Sequence, residues 1–540
     1  MSDDRGDPST GLDCAGALFV ETGHPILGRV LRASACIVPG TLLVRERPVM
    51  AMTPLRELDA PERKALLAAV AELGASTFDL FCAAHAFALS PQNARFLVLS
   101  TFCGVEAVDV EVAEARQALR EVEIVAAWCA EHMAACASVE PADLRQALMC
   151  FHLNAHHTPR LGDRRCGALY AIGSRFTHAC LSANCAFEHD DDCLVHRAVC
   201  TIEPGAVLTS NYLGPWEYGS TRVRRAALVR SKCFVCGCAS CERSIDPMRA
   251  LPCPNCGPQR ANSGLLGEVS DDELAGSKTG SMLPTRLDDG GGEEWRCATC
   301  KHVLSEQAMD REVSVPGDWP LVSSADAYGS SLLGWERRIE SAAHNLLLHV
   351  YAGASGGAVN ATLPRMPAIL GAVCRLLGGK HWTVAFLRAI QLEATVGMVL
   401  RMTDASDAEV LSASAAQLGL HLPSLEALLG RCARTAADLH SWQCARAAEA
   451  ATPLFEDVQE LADLACRVVR GRAGPHSAVL PDEPLAHSLG LVLELVRRDQ
   501  ARVCAQLGAD AEEALQLQRS EQVLGRVLSS AAGRSYISAK

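Results

Sequence analysis

The chain has 540 residues, of which 49% are hydrophobic and 21% charged, and carries a formal net charge of −13. At roughly 100 to 200 residues per domain this length predicts three or four units, and the apolar content excludes wholesale disorder. The acidic balance disfavours direct nucleic-acid binding or attachment to an anionic membrane, and suits a basic peptide.

Residues 1–17 are polar and acidic and read as a flexible N-terminus, without the basic leader and apolar core of a signal peptide. No uncharged apolar run reaches the roughly 18 to 20 residues of a membrane span. The richest, Leu489 to Leu493, is interrupted by Glu494, Arg497 and Arg498. A monomeric chain of the nucleus and/or cytoplasm is expected. In such a reducing compartment the 25 cysteines are not a disulfide framework. Clustered thiols then read as metal ligands, and scattered ones as small buried hydrophobes.

Residues 18–54 carry short β-rich runs at Leu18-Phe-Val, Gly28-Arg-Val-Leu and Thr41-Leu-Leu-Val-Arg-Glu, separated by turns such as Val38-Pro-Gly. Residues 55–150 are helical in pattern. Asp59-Ala-Pro61-Glu62 opens a helix as a capping box, Leu66, Leu67, Val70 and Leu73 follow at helical spacing, and Gly74 stops it. Helices are also predicted for 119–135 and 141–153. Cys82, Cys103, Cys129, Cys136 and Cys150 sit at helical positions and read as buried core thiols.

β character returns in 151–230, at Gly167-Ala-Leu-Tyr, Val195 to Cys200 and Val207 to Tyr212. The pattern is an α+β fold, one sheet domain split by a helical insert. His156-His157 and Glu188-His-Asp-Asp-Asp192 offer metal-binding residue types, but a loop role and a solvated turn respectively are the expected readings. From 330 to 540 the chain is Ala- and Leu-rich and helical. Thr452 to Gly471 is the clearest case, with a cap, a first-turn Pro453 and an apolar face that includes Val458, Leu461 and Ala465.

Residues 231–305 hold the densest chemistry. Cys233-Phe-Val-Cys236-Gly-Cys238-Ala-Ser-Cys241 places four thiols in nine residues. Zinc takes soft ligands at tetrahedral corners, and thiols two or three apart on tight turns supply them. Cys253, Cys256, Cys297 and Cys300 form two C-x-x-C pairs in the manner of a zinc ribbon. Two zinc ions per chain are expected, with Cys233 an alternative ligand for either site. The polar, glycine-rich residues 257–294 between the pairs read as a mobile loop.

Four features come in a fixed order: the early Gly28-Arg-Val turn, the stretch Gly167 to Asn184 containing Thr177-His178-Ala179-Cys180, the segment Ile202 to Tyr212, and Arg224-Arg-Ala-Ala-Leu followed by the cysteines. This order resembles the SET-domain lysine methyltransferases of the SET-and-MYND type, without a visible MYND zinc pattern. The resemblance implies a β-rich SET domain, a zinc-binding post-SET region and a helical C-terminal domain, with S-adenosylmethionine as cofactor and a lysine-bearing protein or peptide as substrate. It also assigns roles: Gly28, Arg29, Thr177, His178, Tyr212 and Phe234 to the cofactor, Tyr212 to catalysis, and Cys180 to a zinc shared with Cys236, Cys238 and Cys241. Three positions depart from the family pattern. Thr177 replaces an asparagine, Lys232 replaces a channel aromatic, and the Gly28 turn lacks a second glycine. The competing expectation, favoured by Thr177 and Lys232, is a noncatalytic zinc-stapled scaffold for protein partners.

Overall fold

The computed structural model describes residues 13–14, 18–24, 28–53, 57–74, 77–109, 111–157, 167–190, 193–256, 280–287, 292–313, 330–351, 366–401, 425–444, 458, 461–462, 465, 483–507 and 514–525. The described residues contain both strands and helices, with helices alone from Leu332 onward. The chain divides into two compact units: residues 1–214, 224–241 and 505–507 in the first, and residues 215–223, 242–504 and 508–540 in the second. Among the described residues no helix is long and apolar enough to cross a membrane.

In the first unit a hairpin joins β2 (Phe19–His24) to β3 (Gly28–Ala33). Gly28 enters β3 with φ +71°, a conformation that a side chain disfavours. A four-stranded antiparallel sheet runs in the order β1 (Asp13–Cys14), β4 (Leu42–Glu46), β10 (Cys193–Ala198) and β9 (Cys185–Asp190). Asp13 and Cys14, inside the segment expected to be flexible, pair with Arg45 and Val44. Glu188 and His189, expected in a solvated turn, lie in β9 opposite Val195 and Leu194, because β10 offers them a complete ladder. Phe19, Leu31, Leu43, Val44, Phe176 and Leu208 form the core of this region.

Helices α1 (Ala60–Leu73), α2 (Phe78–Leu89), α3 (Gln92–Thr101), α4 (Ala113–His132) and α5 (Pro141–Asn154) lie in sequence between β5 (Met50–Ala51) and β6 (His156–His157). Both strands pair with β7 (Gly167–Leu169), so the helices are an excursion out of one three-stranded sheet. The α1 signals act locally. The Asp59 carboxylate accepts the Glu62 amide at 2.7 Å, and Gly74 ends the helix at φ +109°. α2 is buried almost all round, with Phe78, Phe81 and Phe87 in one core with Val122, Leu148 and Phe151. Cys82, Cys129, Cys136 and Cys150 belong to that core, whereas Cys103 is exposed. His156 is in a strand rather than a loop, and its ring meets Phe187 edge-on at 5.0 Å.

In the second unit β12 (Leu251–Pro252), β13 (Ser281–Arg286), β14 (Glu293–Cys297) and β15 (Val303–Ser305) form an antiparallel sheet in chain order over the fully buried Trp295. β13 corrects the reading of 257–294 as one mobile loop: Met282 and Pro284 are buried, and their ladder partners lie beyond the polar stretch. Residues 257–279 and 288–291 lie outside the described residues. Helices span Leu332–Tyr351, Met366–Leu377, Trp382–Arg401, Leu425–Cys444 and Glu483–Leu507. Of the helix read over 452–471, Val458, Leu461, Ala462 and Ala465 are helical and buried, while its caps lie outside the described residues. The division between the units runs through α6 (Thr221–Lys232).

Candidate active site and metal centres

Two short strands create the site in the first unit. β8 (Thr177–His178) and β11 (Thr209–Ser210) pair in parallel, Thr177 with Thr209 and His178 with Ser210. The Thr177 amide donates to the Leu208 carbonyl, and the Ala179 amide to the Ser210 carbonyl, each at 3.1 Å. The Asn184 side chain clamps the incoming segment, accepting the Thr209 amide at 2.7 Å and donating to the Val207 carbonyl at 2.9 Å. β11 stops at Ser210, short of the strand end expected at Tyr212, because the Asn211 side chain closes a turn with Leu213 and Gly214 and the Tyr212 amide donates to His178.

The turn gives His178 a defined protonation pattern. Its Nδ1 accepts the Tyr212 amide at 3.1 Å, so the ring proton is on Nε2, which lies 3.1 Å from Cys180 Sγ. Burial lowers the His178 pKa to about 4, and the ring is neutral at physiological pH. The Tyr212 ring packs 5.1 Å from it and the Phe234 ring 6.1 Å. The Tyr212 hydroxyl donates to the Phe176 carbonyl, and burial raises its pKa, which keeps it a phenol. The Lys232 Nζ lies 5.9 Å from the centroid of the Tyr212 ring.

Immediately beyond His178, the Cys180 thiol comes within 4.0 Å of Cys236 Sγ and 3.6 Å of Cys241 Sγ. Cys238 completes the group, and its amide points at Cys236 Sγ at 3.4 Å. Sulfurs about 2.3 Å from a tetrahedral zinc stand roughly 3.8 Å apart, so these thiols fit the ion. The Arg224 guanidinium is 3.7 Å from Cys241 Sγ, and Arg225 Nε donates to the Cys236 carbonyl at 2.9 Å. Both brace the cysteine turn and offset the thiolate charge. Cys233 stands apart: its thiol joins the core of helices α1–α5.

In the second unit Cys253 Sγ lies 3.7 Å from Cys300 Sγ, and Cys256 Sγ 3.6 Å from Cys297 Sγ. The Cys300 backbone amide donates toward Cys297 Sγ at 3.4 Å, and the Asn255 side-chain Nδ2 toward Cys300 Sγ at 3.5 Å. Gly280 lies against this cluster. A Cβ there would sit 2.1 Å from Cys256 Sγ and 2.9 Å from Cys297 Sγ. Gly280→Ala is therefore expected to displace two ligands and to reduce bound zinc by about one ion per chain. Elemental analysis of purified protein checks this, and unchanged zinc would contradict it.

Several positioning residues had no sequence signal beyond their residue type. Glu46 is buried on β4, where alternation calls for an apolar side chain, and it accepts the amides of Ile172 and Gly173. Burial raises its pKa and those amides oppose the rise. It thereby anchors the turn that leads into β8. Arg175 donates to Glu21 at 2.5 Å and to the Thr101 carbonyl at 3.4 Å, and Arg29 donates to the same carbonyl. Gly28 and Arg29 thus connect to the segment before Thr177 through Thr101, without touching His178 or Tyr212.

No family model and no curated protein matches the chain. Among solved structures it is similar to the SET domain of LSMT bound to lysine and AdoHcy, at 10% identity and a TM-score of 0.30, covering 96% of this chain and 88% of that one. It is also similar to Rubisco LSMT bound to sinefungin and monomethyllysine, at 10% identity and a TM-score of 0.29, covering 96% and 89%. Likeness at this level carries no argument about fold or activity.

Proposed function

We propose that the chain is an S-adenosylmethionine-dependent protein-lysine N-methyltransferase of the SET type, with a SET-and-MYND-like division by a helical insert and a post-SET zinc. A lysine-bearing basic peptide is its substrate, in the nucleus or cytoplasm. The observation that carries the reading is the meeting of two distant segments: Cys180 joins Cys236, Cys238 and Cys241, and so brings His178, Tyr212 and Phe234 into one aromatic cluster.

The residues fit the cofactor's chemistry. Aromatic faces attract a sulfonium cation, and among the described residues the buried Ser210 hydroxyl beside His178 has no partner. S-adenosylmethionine supplies the electrophilic methyl when bound. The protein supplies position and a dry surface. A free lysine amine has a pKa of about 10.4, and an apolar aromatic site disfavours its charged form, so no strong base is needed. Tyr212 orients the amine, and the carbonyl of Phe176 fixes the phenol in place. The thiolates would hold zinc as a structural staple with no open coordination position.

Tyr212→Phe is expected to bind S-adenosylmethionine normally while methyl transfer to a lysine peptide falls about 10²-fold. Calorimetric titration and single-turnover transfer measure the two quantities separately. Zinc-replete protein with no affinity for the cofactor would sink the enzyme reading. It would leave the scaffold reading, which the ammonium of Lys232 against Tyr212 favours.

A further inference from the structure

Lys232 closes α6, and the chain leaves it through Cys233 at φ +58°, a reversal that few side chains adopt. Its side chain is half-buried. Nζ lies 3.5 Å from the Ala155 carbonyl and 5.9 Å from the centroid of the Tyr212 ring. Among the described residues no carboxylate pairs with it. Its other charged or titratable neighbours are the neutral Cys233 thiol and His152, whose buried Nε2 has no partner. Burial lowers the Lys232 pKa to about 8 and, with the charge of Lys232 adding to it, holds His152 down at about 4.

A lysine placed for solubility extends to water, and one placed for an ion pair meets a carboxylate. Lys232 instead meets the Ala155 carbonyl at the C-terminal end of α5, which a cation suits, and the ring of Tyr212. A carbonyl oxygen that accepts from the nitrogen and a tyrosine ring beside it also suit an incoming amine, and here the chain's own amine has them.

We propose that Lys232 occupies the substrate-amine subsite beside Tyr212 and that, in the absence of a substrate lysine, it accepts the methyl group itself. This rests on the methyltransferase reading above. The Lys232 ammonium first releases one proton to solvent. The nitrogen lone pair then forms the N–C bond as the sulfonium C–S bond breaks, and that bonding pair stays on sulfur. The products are a methylated, positively charged lysine and a neutral thioether. Lys232 is thus an internal competitor that a substrate lysine must displace, and methylation at this position marks chains that have met cofactor without substrate.

The test uses the full-length, zinc-replete chain with S-adenosylmethionine and no peptide, followed by tandem mass spectrometry. One methyl is expected on Lys232, at a rate independent of protein concentration, and none is expected in Lys232→Arg. A second readout does not depend on turnover. With S-adenosylhomocysteine bound, Lys232→Met is expected to bind n-butylamine at least about 10-fold more tightly than the wild type, because the competing amine is gone. Cofactor binding with Lys232 unmodified and n-butylamine affinity equal in the two proteins would overturn the proposal and leave the methyltransferase reading standing. Methyl found only on other lysines would overturn it as well. Absence of cofactor binding in both wild type and Lys232→Met would overturn both.

Discussion

Glu336→Ala is expected to destabilise the second unit by about 3–5 kcal/mol, because it leaves buried cations without their central counterion. Glu336 has no solvent exposure. One of its carboxylate oxygens lies 2.9 Å from Arg249 Nε and 3.2 Å from His381 Nε2. The other lies 2.9 Å from Arg249 and 3.0 Å from Arg222. Glu340 extends the group, meeting Arg222 Nε at 2.5 Å and the Trp382 indole at 2.8 Å. Burial alone would raise the Glu336 pKa, but Arg249, Arg222 and His381 outweigh it and hold the carboxyl well below its usual range.

A depressed carboxylate stabilises the fold fully above its unfolded pKa of about 4.3, and the contribution fades as pH falls through the lower folded value. Urea unfolding at pH 7, followed by circular dichroism, checks the loss. Glu293→Ala is the comparison. It removes a half-exposed partner of Arg249 and is expected to cost about 1 kcal/mol or less. Equal stability of Glu336→Ala and wild type would show that the network is dispensable. Glu336, Glu340 and His381 also have the residue types of a metal site, and their ligand atoms lie within 4.8 Å of one another. The two guanidiniums already take the positions a cation would need, so the group is read as structural.

That network illustrates what a linear reading misses. Arg222, Arg249, Glu336 and His381 meet only through tertiary packing, and each alone resembles an ordinary surface charge. α1 was legible because its start and stop are local, with Asp59 capping Glu62 and Gly74 reversing the chain. α2 was less so, since a helix buried on nearly every side shows no apolar stripe. β9 and β13 hide for a different reason. Glu188 to Asp190 and Ser281 to Arg286 lie in polar, acidic or glycine-rich stretches, and become strands through partners elsewhere in the chain. In the candidate site the cysteine spacing was visible, and so was the odd chemistry of Lys232. What spacing could not reveal was the clamp by Asn184, the anchor at Glu46, or Cys233 leaving the cysteine run for the core of the helical insert.

The second large effect is expected from Cys241→Ser. Cys241 is fully buried, 3.6 Å from Cys180 and 3.7 Å from the Arg224 guanidinium. A serine hydroxyl is a poor zinc ligand at neutral pH, and zinc held by four thiolates contributes about 10–16 kcal/mol of apparent binding energy. Bound zinc should therefore drop from two ions per chain to one. Because Cys180 follows His178 by two residues, loss of the ion frees the turn that carries His178 from the segment that carries Phe234, and S-adenosylmethionine affinity should fall about 10²-fold. Cys180→Ser should reproduce both losses, since it breaks the same link from the other side. Cys300→Ser provides the contrast: it should also lose one ion, from the cluster in the second unit, yet retain cofactor affinity, because His178, Tyr212 and Phe234 all belong to the first. Zinc analysis paired with calorimetric titration of each variant decides the matter. Equal loss of affinity in Cys241→Ser and Cys300→Ser would mean that metal supports the chain only globally, whereas loss confined to Cys180 and Cys241 variants identifies the first thiol cluster as the staple of the cofactor site.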